Sequence, residues 1–149
     1  MLRIAAQVHQ QFPEGETVFA ERLALHPEGC RMLEEEGAAL GYAIAHPWRF
    51  ARPPALDSLL GALPERPDTY YLHDAALLPA ARGQGAARTL VELMRADAGS
   101  LPSLSLVAVG GTAALWARLG FTEHADAALL EKLASYGPAA RFMARFQSG

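Results

Sequence analysis

Two glycines standing directly before a helical pattern are the residues of this chain best suited to binding an anion. The stretch Arg82–Ala87 reads Arg-Gly-Gln-Gly-Ala-Ala and lies between an apolar segment and an amphipathic one. Such a turn can direct several backbone N–H groups at one anion, and the helix N-terminus adds the positive end of its dipole. The spacing predicts a phosphate-binding turn, although an ordinary loop between a strand and a helix has the same composition.

Two other phosphate-binding motifs do not fit this turn. No Gly-Lys-Ser or Gly-Lys-Thr follows it, which excludes the loop of nucleotide triphosphatases. Gly83-x-Gly85-x-x-Arg88 lacks the third glycine of the dinucleotide fingerprint. We therefore expect a phosphorylated ligand of another kind.

Alternating strands and helices must position the turn. The hydrophobic patterns predict strands over Cys30–Glu35, Ala38–His46, Tyr70–Leu78, Leu104–Val109 and Ala139–Phe146. They predict helices over Leu2–Gln11, Thr17–Leu25, Ala55–Leu63, Gly85–Ala98 and Thr112–Leu119. The fold class is therefore α/β with a mixed sheet. The segment Pro47–Asp68 holds five of the ten prolines and is long enough to shape a substrate pocket.

The composition limits the class of protein. A chain of 149 residues, 51% of them hydrophobic, predicts one globular domain over residues 1–149. The net charge of −3 argues against nucleic acid as a partner. Cys30 is the single cysteine, which excludes an intrachain disulfide, and no apolar run is long enough to cross a membrane. We expect a cytoplasmic protein with no metal site, because the five histidines show no metal-ligand spacing.

The stretch Asp74–Ala87, which contains the glycine turn, resembles the acetyl-CoA motif of the GNAT superfamily of N-acetyltransferases. That motif is Arg or Gln, two residues, Gly, one residue, and then Gly or Ala, and Arg82, Gly85 and Ala87 fill its fixed positions. Further along, Trp116–Phe121 resembles the family's segment of an aromatic residue, any residue, Lys or Arg, any residue, Gly and Phe. The two motifs occur in the family's order and spacing.

The resemblance covers about Cys30–Phe121 well and the two ends loosely. It implies a GNAT-like central sheet, mixed but mostly antiparallel, with helices on both faces. It also implies transfer of an acetyl group from acetyl-CoA, the cosubstrate, to an amine of a small molecule or peptide by direct attack. The family's first strand is missing from the pattern, which leaves a sheet edge that a second copy in a homodimer would cover.

The resemblance also implies how acetyl-CoA is held. Backbone amides between Gly83 and Ala87 would bind the pyrophosphate, while the strand Tyr70–Leu78 diverges from its neighbour and pairs with the pantetheine arm. The amide of Leu77 matches the one that polarises the thioester carbonyl in the family. The cofactor-binding residues expected on this basis are Ala76, Leu77, Leu78, Arg82, Gly83, Gln84, Gly85, Ala86, Ala87 and Trp116.

An aliphatic amine with a pKa of ~10 is mostly protonated at neutral pH, so some group must accept its proton. His73 is the first candidate, with Tyr71 on the same strand face and Leu77 an even number of residues away. A bulge, which is common in this strand of the family, would bring Asp74 to that face instead. The alternatives are that His73 and Asp74 are hydrogen-bonded core groups, or that water relays the proton.

Two features favour other functions. Many family members have a tyrosine where Trp116 stands, and an indole cannot protonate a leaving thiolate; Tyr136 is a possible substitute. This departure favours a binding module that keeps the acyl-CoA site without catalysis. The small residues Ala75 and Ala76 would instead leave room for an acyl group longer than acetyl. His46 is expected at the surface or, alternatively, in the wall of the acceptor pocket.

Overall fold

Six strands form one sheet in the computed structural model, which describes residues 3–4, 15–83 and 85–147. The strands are β1 Cys30–Glu35, β2 Ala38–Trp48, β3 Thr69–Leu77, β4 Ser103–Ala108, β5 Thr122–Glu123 and β6 Arg141–Phe146. Their order across the sheet is β1-β2-β3-β4-β6-β5, and neighbours are antiparallel except for β3 and β4. This confirms the predicted mixed, mostly antiparallel sheet.

Helices cover both faces of the sheet, as predicted. They are α1 Glu16–Leu25, α2 Ala86–Ala98, α3 Ala113–Arg118 and α4 Ala127–Leu133. On one face, here called the α2 face, Met94 of α2 packs with Leu72 and Leu104. On the other, the α1 face, Phe19 of α1 packs with Ile44, and α4 packs with β6. The central strands of the sheet are therefore buried between two apolar layers, while most of β1 and all of β5 are exposed.

The predicted elements differ from the observed ones in a few places. No helix forms over Ala55–Leu63, because the N–H groups of Leu60 and Gly61 donate to the Glu21 carboxylate instead of forming helical hydrogen bonds. Helix α4 and strand β5 had no counterpart in the pattern. Most of the helix predicted over Leu2–Gln11 lies outside the described residues, and residues 3 and 4 are helical.

Within the described residues no strand precedes β1, which therefore lies at an edge of the sheet. The outer side of β1 has the unpaired backbone groups that are typical of an edge strand.

A bulge in β3 sets which side chains share a face. Ile44 faces Asp74 and the next residue, Ala45, faces Leu72, so His73 is an extra residue in β3. Because the extra residue inverts the alternation, Asp74 joins His73 on the α1 face and Leu77 moves to the α2 face. The expectation that the side chains of His73 and Leu77 share one face was therefore wrong.

Strands β3 and β4 separate halfway along their length. Their pairing runs from Tyr70–Leu72 to Leu104–Leu106 and stops there, although β3 continues to Leu77 and β4 to Ala108. The divergence leaves a gap in the middle of the sheet beside residues 73–77.

Candidate active site

The gap between β3 and β4 opens into a cleft of about 980 Å³ that is lined from both faces of the sheet. This volume is within the range of small-molecule sites. The α1 half of the cleft is lined by Tyr42, Leu56, His73, Asp74, Ala76, Val107, Val109 and Tyr136. The α2 half is lined chiefly by Ala43, Leu72, Ala75, Leu77, Arg82, Ala86, Ala87, Leu90, Leu106, Leu115 and Trp116. One cleft thus joins the two sides of the sheet.

The glycine turn lies at the mouth of the α2 half. Gly83 has φ +79° and Gly85, the N-cap of α2, has φ +78°, a left-handed conformation that favours glycine. Apart from the chain neighbours of each glycine, no described residue has an atom within 4 Å of the place where a Cβ would stand on Gly83 or Gly85. The glycines are therefore required for backbone conformation, and the space above them is open.

Helix α2 begins without a side-chain cap and has no acidic residue in its first turn. The first N–H groups of a helix have no partner within it, and here the first helical hydrogen bond at this end runs from Thr89 N to Gly85 O. The N–H groups that precede Thr89 and the dipole of a 13-residue helix suit an anion at this end. Gln84, which was predicted to contribute to the turn, lies outside the described residues.

The backbone of Leu77 points into the gap. Leu78 N donates to Leu40 O at 2.8 Å, so these facing residues form a hydrogen-bonded pair. Facing pairs of an antiparallel ladder alternate between bonded and non-bonded, and Leu77 faces Gly41 in the next pair. Its N–H and C=O therefore point away from β2, and its carbonyl accepts from Arg82 Nε at 3.3 Å.

The structure brings most of the other predicted cofactor-binding residues together in the cleft. Those that line it are Ala76, Leu77, Arg82, Ala86, Ala87 and Trp116. Trp116 is buried and its ring packs edge-on against Phe121, with centroids 5.8 Å apart. Leu78 is not among the lining residues.

Asp74 and His73 lie side by side in the α1 half, but in different surroundings. The hydroxyl of Tyr42 donates to Asp74 Oδ2 at 2.5 Å. His73 Nε2 lies 3.4 Å from Nη2 of Arg22. Since a guanidinium can only donate, this contact requires Nε2 to accept, which places the proton of a neutral His73 on Nδ1.

Behind His73 the side chains are packed rather than open to the cleft. Tyr71, the third predicted catalytic residue, is 2% exposed and lies among the apolar residues of the α1 face. His46, expected at the surface or in the pocket wall, is 2% exposed and stacks against Tyr71 and His73 with ring centroids 5.7 Å away in each case. Burial lowers the pKa of His46 to about 3, although a hydrogen bond to the Pro47 carbonyl opposes the shift.

A buried ion pair that the sequence did not reveal supports this half. Arg22 is 1% exposed, and its guanidinium donates to Glu21 at 2.6 Å and to the carbonyl of Ser58 at 2.9 Å. Burial raises the pKa of Glu21, but hydrogen bonds from Leu60 and Gly61 and the charge of Arg22 bring it below its ordinary value. The pair fastens the segment around Ser58 to α1 and presents a donor to His73.

Tyr136 fastens the same proline-rich segment from the other side. It is buried in the α1 half, and its hydroxyl donates to the carbonyl of Pro54. Leu56, between the two fastening points, lies with Val107 and Val109 against the apolar cluster of this face. The α1 half therefore has apolar walls around the polar pair His73 and Asp74.

Two kinds of feature are absent from the described residues. The part of the chain that the structure describes contains no group of three or more His, Cys, Asp or Glu side chains that could hold a metal ion. Among the same residues no helix has the length and hydropathy needed to span a membrane.

Several solved structures have the same fold. The GNAT-like decarboxylase GphF, solved with isobutyryl-CoA, has a TM-score of 0.75 at 14% identity, over 97% of this chain and 92% of that one. The ribosomal-protein-S18-alanine N-acetyltransferase of Escherichia coli has a TM-score of 0.63 at 22% identity, over 99% and 87%. Ard1 of Thermoplasma volcanium has a TM-score of 0.68 at 15% identity, over 100% and 90%. A search of curated protein sequences found no significant match.

The sequence itself shows the family. The profile of the acetyltransferase (GNAT) family matches residues 2–121, which include the glycine turn, the diverging strands and Trp116. Strands β5 and β6 lie beyond the match and complete the same sheet. The chain therefore belongs to the acetyltransferase (GNAT) family and is an acyltransferase of that family, whose acyl donor is acetyl-CoA.

Proposed function

We propose that the protein is an N-acetyltransferase that moves the acetyl group of acetyl-CoA to an amine of a small molecule or peptide. The observation that carries the proposal is the open glycine turn before an uncapped α2, at the mouth of the gap between β3 and β4. A turn of this kind suits a pyrophosphate, and the gap beside it leads to the polar pair of the α1 half. Acetyl-CoA, when bound, supplies the acetyl group as a reactive thioester.

The residues of the turn and the α2 half would hold the donor. Backbone N–H groups from Gly83, Gln84, Gly85, Ala86 and Ala87 bind the pyrophosphate, with the dipole of α2 behind them. The strand segment Ala76–Leu78 runs along the pantetheine arm, and Trp116 closes the apolar side. Arg82, which is exposed at the turn, adds a positive charge.

Leu77 supplies the hydrogen bond that the reaction needs at its oxygen. Its N–H points into the gap and donates to the acyl carbonyl oxygen as negative charge develops there. A fixed backbone donor in a site that excludes water stabilises such charge more than water does.

Asp74 is the group we assign as proton acceptor among the three predicted candidates. Its carboxylate lines the cleft and is oriented by Tyr42. The contact with Arg22 holds His73 as a hydrogen-bond acceptor at Nε2, so accepting the amine's proton there would break that bond and place a second cation beside Arg22. Tyr71 does not line the cleft. The neutral amine attacks the thioester carbonyl carbon, and its nitrogen, which becomes positively charged, loses a proton to the carboxylate of Asp74. The C–S bond then breaks, and CoA leaves as a thiolate that takes up a proton from solvent.

The alternative function is an acyl-CoA-binding module with little or no catalysis. The observation in its favour is Trp116, which stands where many family members have a tyrosine acid. Tyr136 lies in the same cleft, but its hydroxyl donates to the carbonyl of Pro54. Release of free CoA from acetyl-CoA in the presence of a panel of amines separates the two functions, because the module would release none.

The experiment that tests the proposal is calorimetric titration of acetyl-CoA into the wild-type protein and into Gly85→Glu. We expect micromolar binding to the wild type and none to the variant, since a carboxylate would stand where a phosphate binds. Gly37→Glu is the matched control, because Gly37 has φ +80° and open space but lies in the β1–β2 hairpin. Absent binding to the folded wild type, or equal losses in both variants, would overturn the proposal.

A further inference from the structure

The α1 half of the cleft has the chemistry to select one class of amine, and this selection rests on the proposed function. Among the described residues that line the cleft, Asp74 is the only carboxylate. Asp74 lies in the α1 half, whereas the glycine turn lies at the α2 half, on the other face of the sheet. An ammonium group is the natural partner of a carboxylate that is only partly exposed.

Cations that could bind a carboxylate group of the acceptor are placed elsewhere. None of the described residues that line the α1 half is an arginine or a lysine. Arg31, in the α2 half, is held by both oxygens of Asp97 at 2.5 and 3.0 Å, and Arg82 belongs to the glycine turn. Arg22 is a buried cation that contacts His73 of this half. It is only 1% exposed, however, and its guanidinium already donates to the Glu21 carboxylate and to the Ser58 carbonyl.

The walls around Asp74 are apolar. Leu56, Val107, Val109 and Tyr136 line this half and pack against the buried cluster of the α1 face. A second charge or a strongly hydrated group on the acceptor would lose its water against these apolar side chains. The body of the acceptor that follows the amine is therefore expected to be apolar.

From these observations we propose that the acceptor is a primary amine on an apolar body with no carboxylate beside the amine, and that free α-amino acids are rejected. In an α-amino acid the carboxylate oxygens lie within about 4 Å of the nitrogen. An amine that contacts Asp74 would bring such a carboxylate close to the carboxylate of Asp74. Like charges at this separation repel strongly where water is excluded, and this repulsion is a source of specificity.

The test compares phenethylamine with L-phenylalanine, which differ only by the carboxylate, on protein saturated with CoA. Titration calorimetry gives the dissociation constant of each compound without requiring turnover. We expect phenethylamine to bind at least about tenfold more tightly than L-phenylalanine. L-phenylalaninamide, which is nearly isosteric with L-phenylalanine but lacks its negative charge, should bind more tightly than L-phenylalanine and, because its amide is hydrated, more weakly than phenethylamine. Ethanolamine, which lacks the apolar body, should bind more weakly than phenethylamine.

Asp74→Asn identifies the source of the selection. Because the amide is neutral and has the same shape, the ratio of the two dissociation constants should fall towards one, whatever happens to the rate. The ratio of kcat/KM values for the two amines in the wild type should follow the binding ratio.

The outcomes separate this inference from the function on which it rests. Equal or tighter binding of L-phenylalanine would overturn the inference while leaving the acetyltransferase function intact. An unchanged ratio in Asp74→Asn, or failure of both amines to bind the CoA complex, would also overturn it. A protein that does not bind CoA at all would overturn the proposed function itself.

Discussion

The two halves of the cleft are built on different principles. The proposed donor end, in the α2 half, would use backbone N–H groups of the short stretch Gly83–Ala87, in which Gly83 and Gly85 have positive φ. The proposed acceptor end, in the α1 half, is built from side chains of distant segments. Arg22 bonds to Ser58, which is 36 residues away in sequence, and contacts His73, which is 51 residues away. One end depends on local chain conformation and the other on tertiary packing.

The two halves should therefore respond to different kinds of substitution. At the proposed donor end backbone atoms would perform most of the binding, so a substitution should matter chiefly where it alters a glycine conformation, removes an N–H group or changes the charge at the turn. At the acceptor end, residues that never touch the ligand should also matter. Glu21 and His46 are examples, because the charge of one and the burial of the other support the side chains of the site. Substitutions of Leu77, Glu21 and His46 test this contrast between backbone binding and side-chain packing.

Leu77→Pro should have the largest effect, because it removes the N–H that we assign to the acyl carbonyl oxygen. Loss of one such donor lowers kcat by about 100- to 1,000-fold in comparable sites. The N–H of Leu77 is not part of the β2–β3 ladder, so the strand should tolerate proline at this terminal position. Steady-state kinetics measure the loss in kcat, and calorimetric titration measures the binding of acetyl-CoA.

Leu77→Ala is the matched control for this change, since it removes the side chain but keeps the N–H. Its kcat should remain within a few-fold of the wild type. Equal kcat losses in the proline and alanine variants would show that the side chain, not the backbone donor, is responsible.

Glu21→Gln should lower the free energy of unfolding by about 3 kcal/mol, because it removes the negative charge that contacts the buried guanidinium of Arg22 at 2.6 Å. It should also weaken the attachment of Leu60 and Gly61 to α1. Urea denaturation at pH 7 measures the loss. Glu28→Gln is the control, since the Glu28 side chain is 69% exposed, and should change stability by less than about 0.5 kcal/mol. If the two variants were equally stable, the ion pair would have no structural role.

The donor end could be predicted from the sequence because its determinants are local. Gly83 and Gly85 before an amphipathic segment predicted both the turn and the start of α2, which begins at Ala86. The period-two pattern of Ala38–His46 predicted β2, and the divergence of β3 from β4 followed from the family resemblance and is observed. Short-range periodicity and glycine conformation carry enough information for such features.

The acceptor end could not be predicted in the same way, because its determinants are long-range. Arg22 lies on a helix with no strong apolar face, so nothing in the pattern marks it as buried. The bulge at His73 is visible only as a register shift against β2, and it reverses the position of Leu77. Ala55–Leu63 has a helical pattern, but the carboxylate of Glu21 takes two of its N–H groups. His46 stands at the start of the proline-rich segment, where the sequence does not predict burial, yet it is packed against Trp48, Tyr71 and His73.

His46 makes the acceptor end sensitive to acid, and this is the smallest of the three effects. Because its pKa in the folded protein is about 3, against about 6.5 when unfolded, the unfolded state binds the proton and the folded state does not. His46 therefore leaves stability intact above pH 6.5 and lowers it as the pH falls below 6.5, by about 1.4 kcal/mol per pH unit down to the folded pKa.

His46→Gln removes this titration while keeping a group that can donate to the Pro47 carbonyl. Between pH 7 and 5 the wild type should lose about 2 kcal/mol more stability than the variant, as measured by urea denaturation at each pH. This window lies above the range in which Glu21, whose pKa is lowered, takes up its proton. His124→Gln, which alters a 43% exposed side chain, should follow the wild type. Parallel pH curves for the wild type and His46→Gln would mean that His46 is protonated in the folded protein. The acceptor end would then contain a second buried cation beside Arg22. In that case buried charge, rather than side-chain packing, would distinguish it from the donor end.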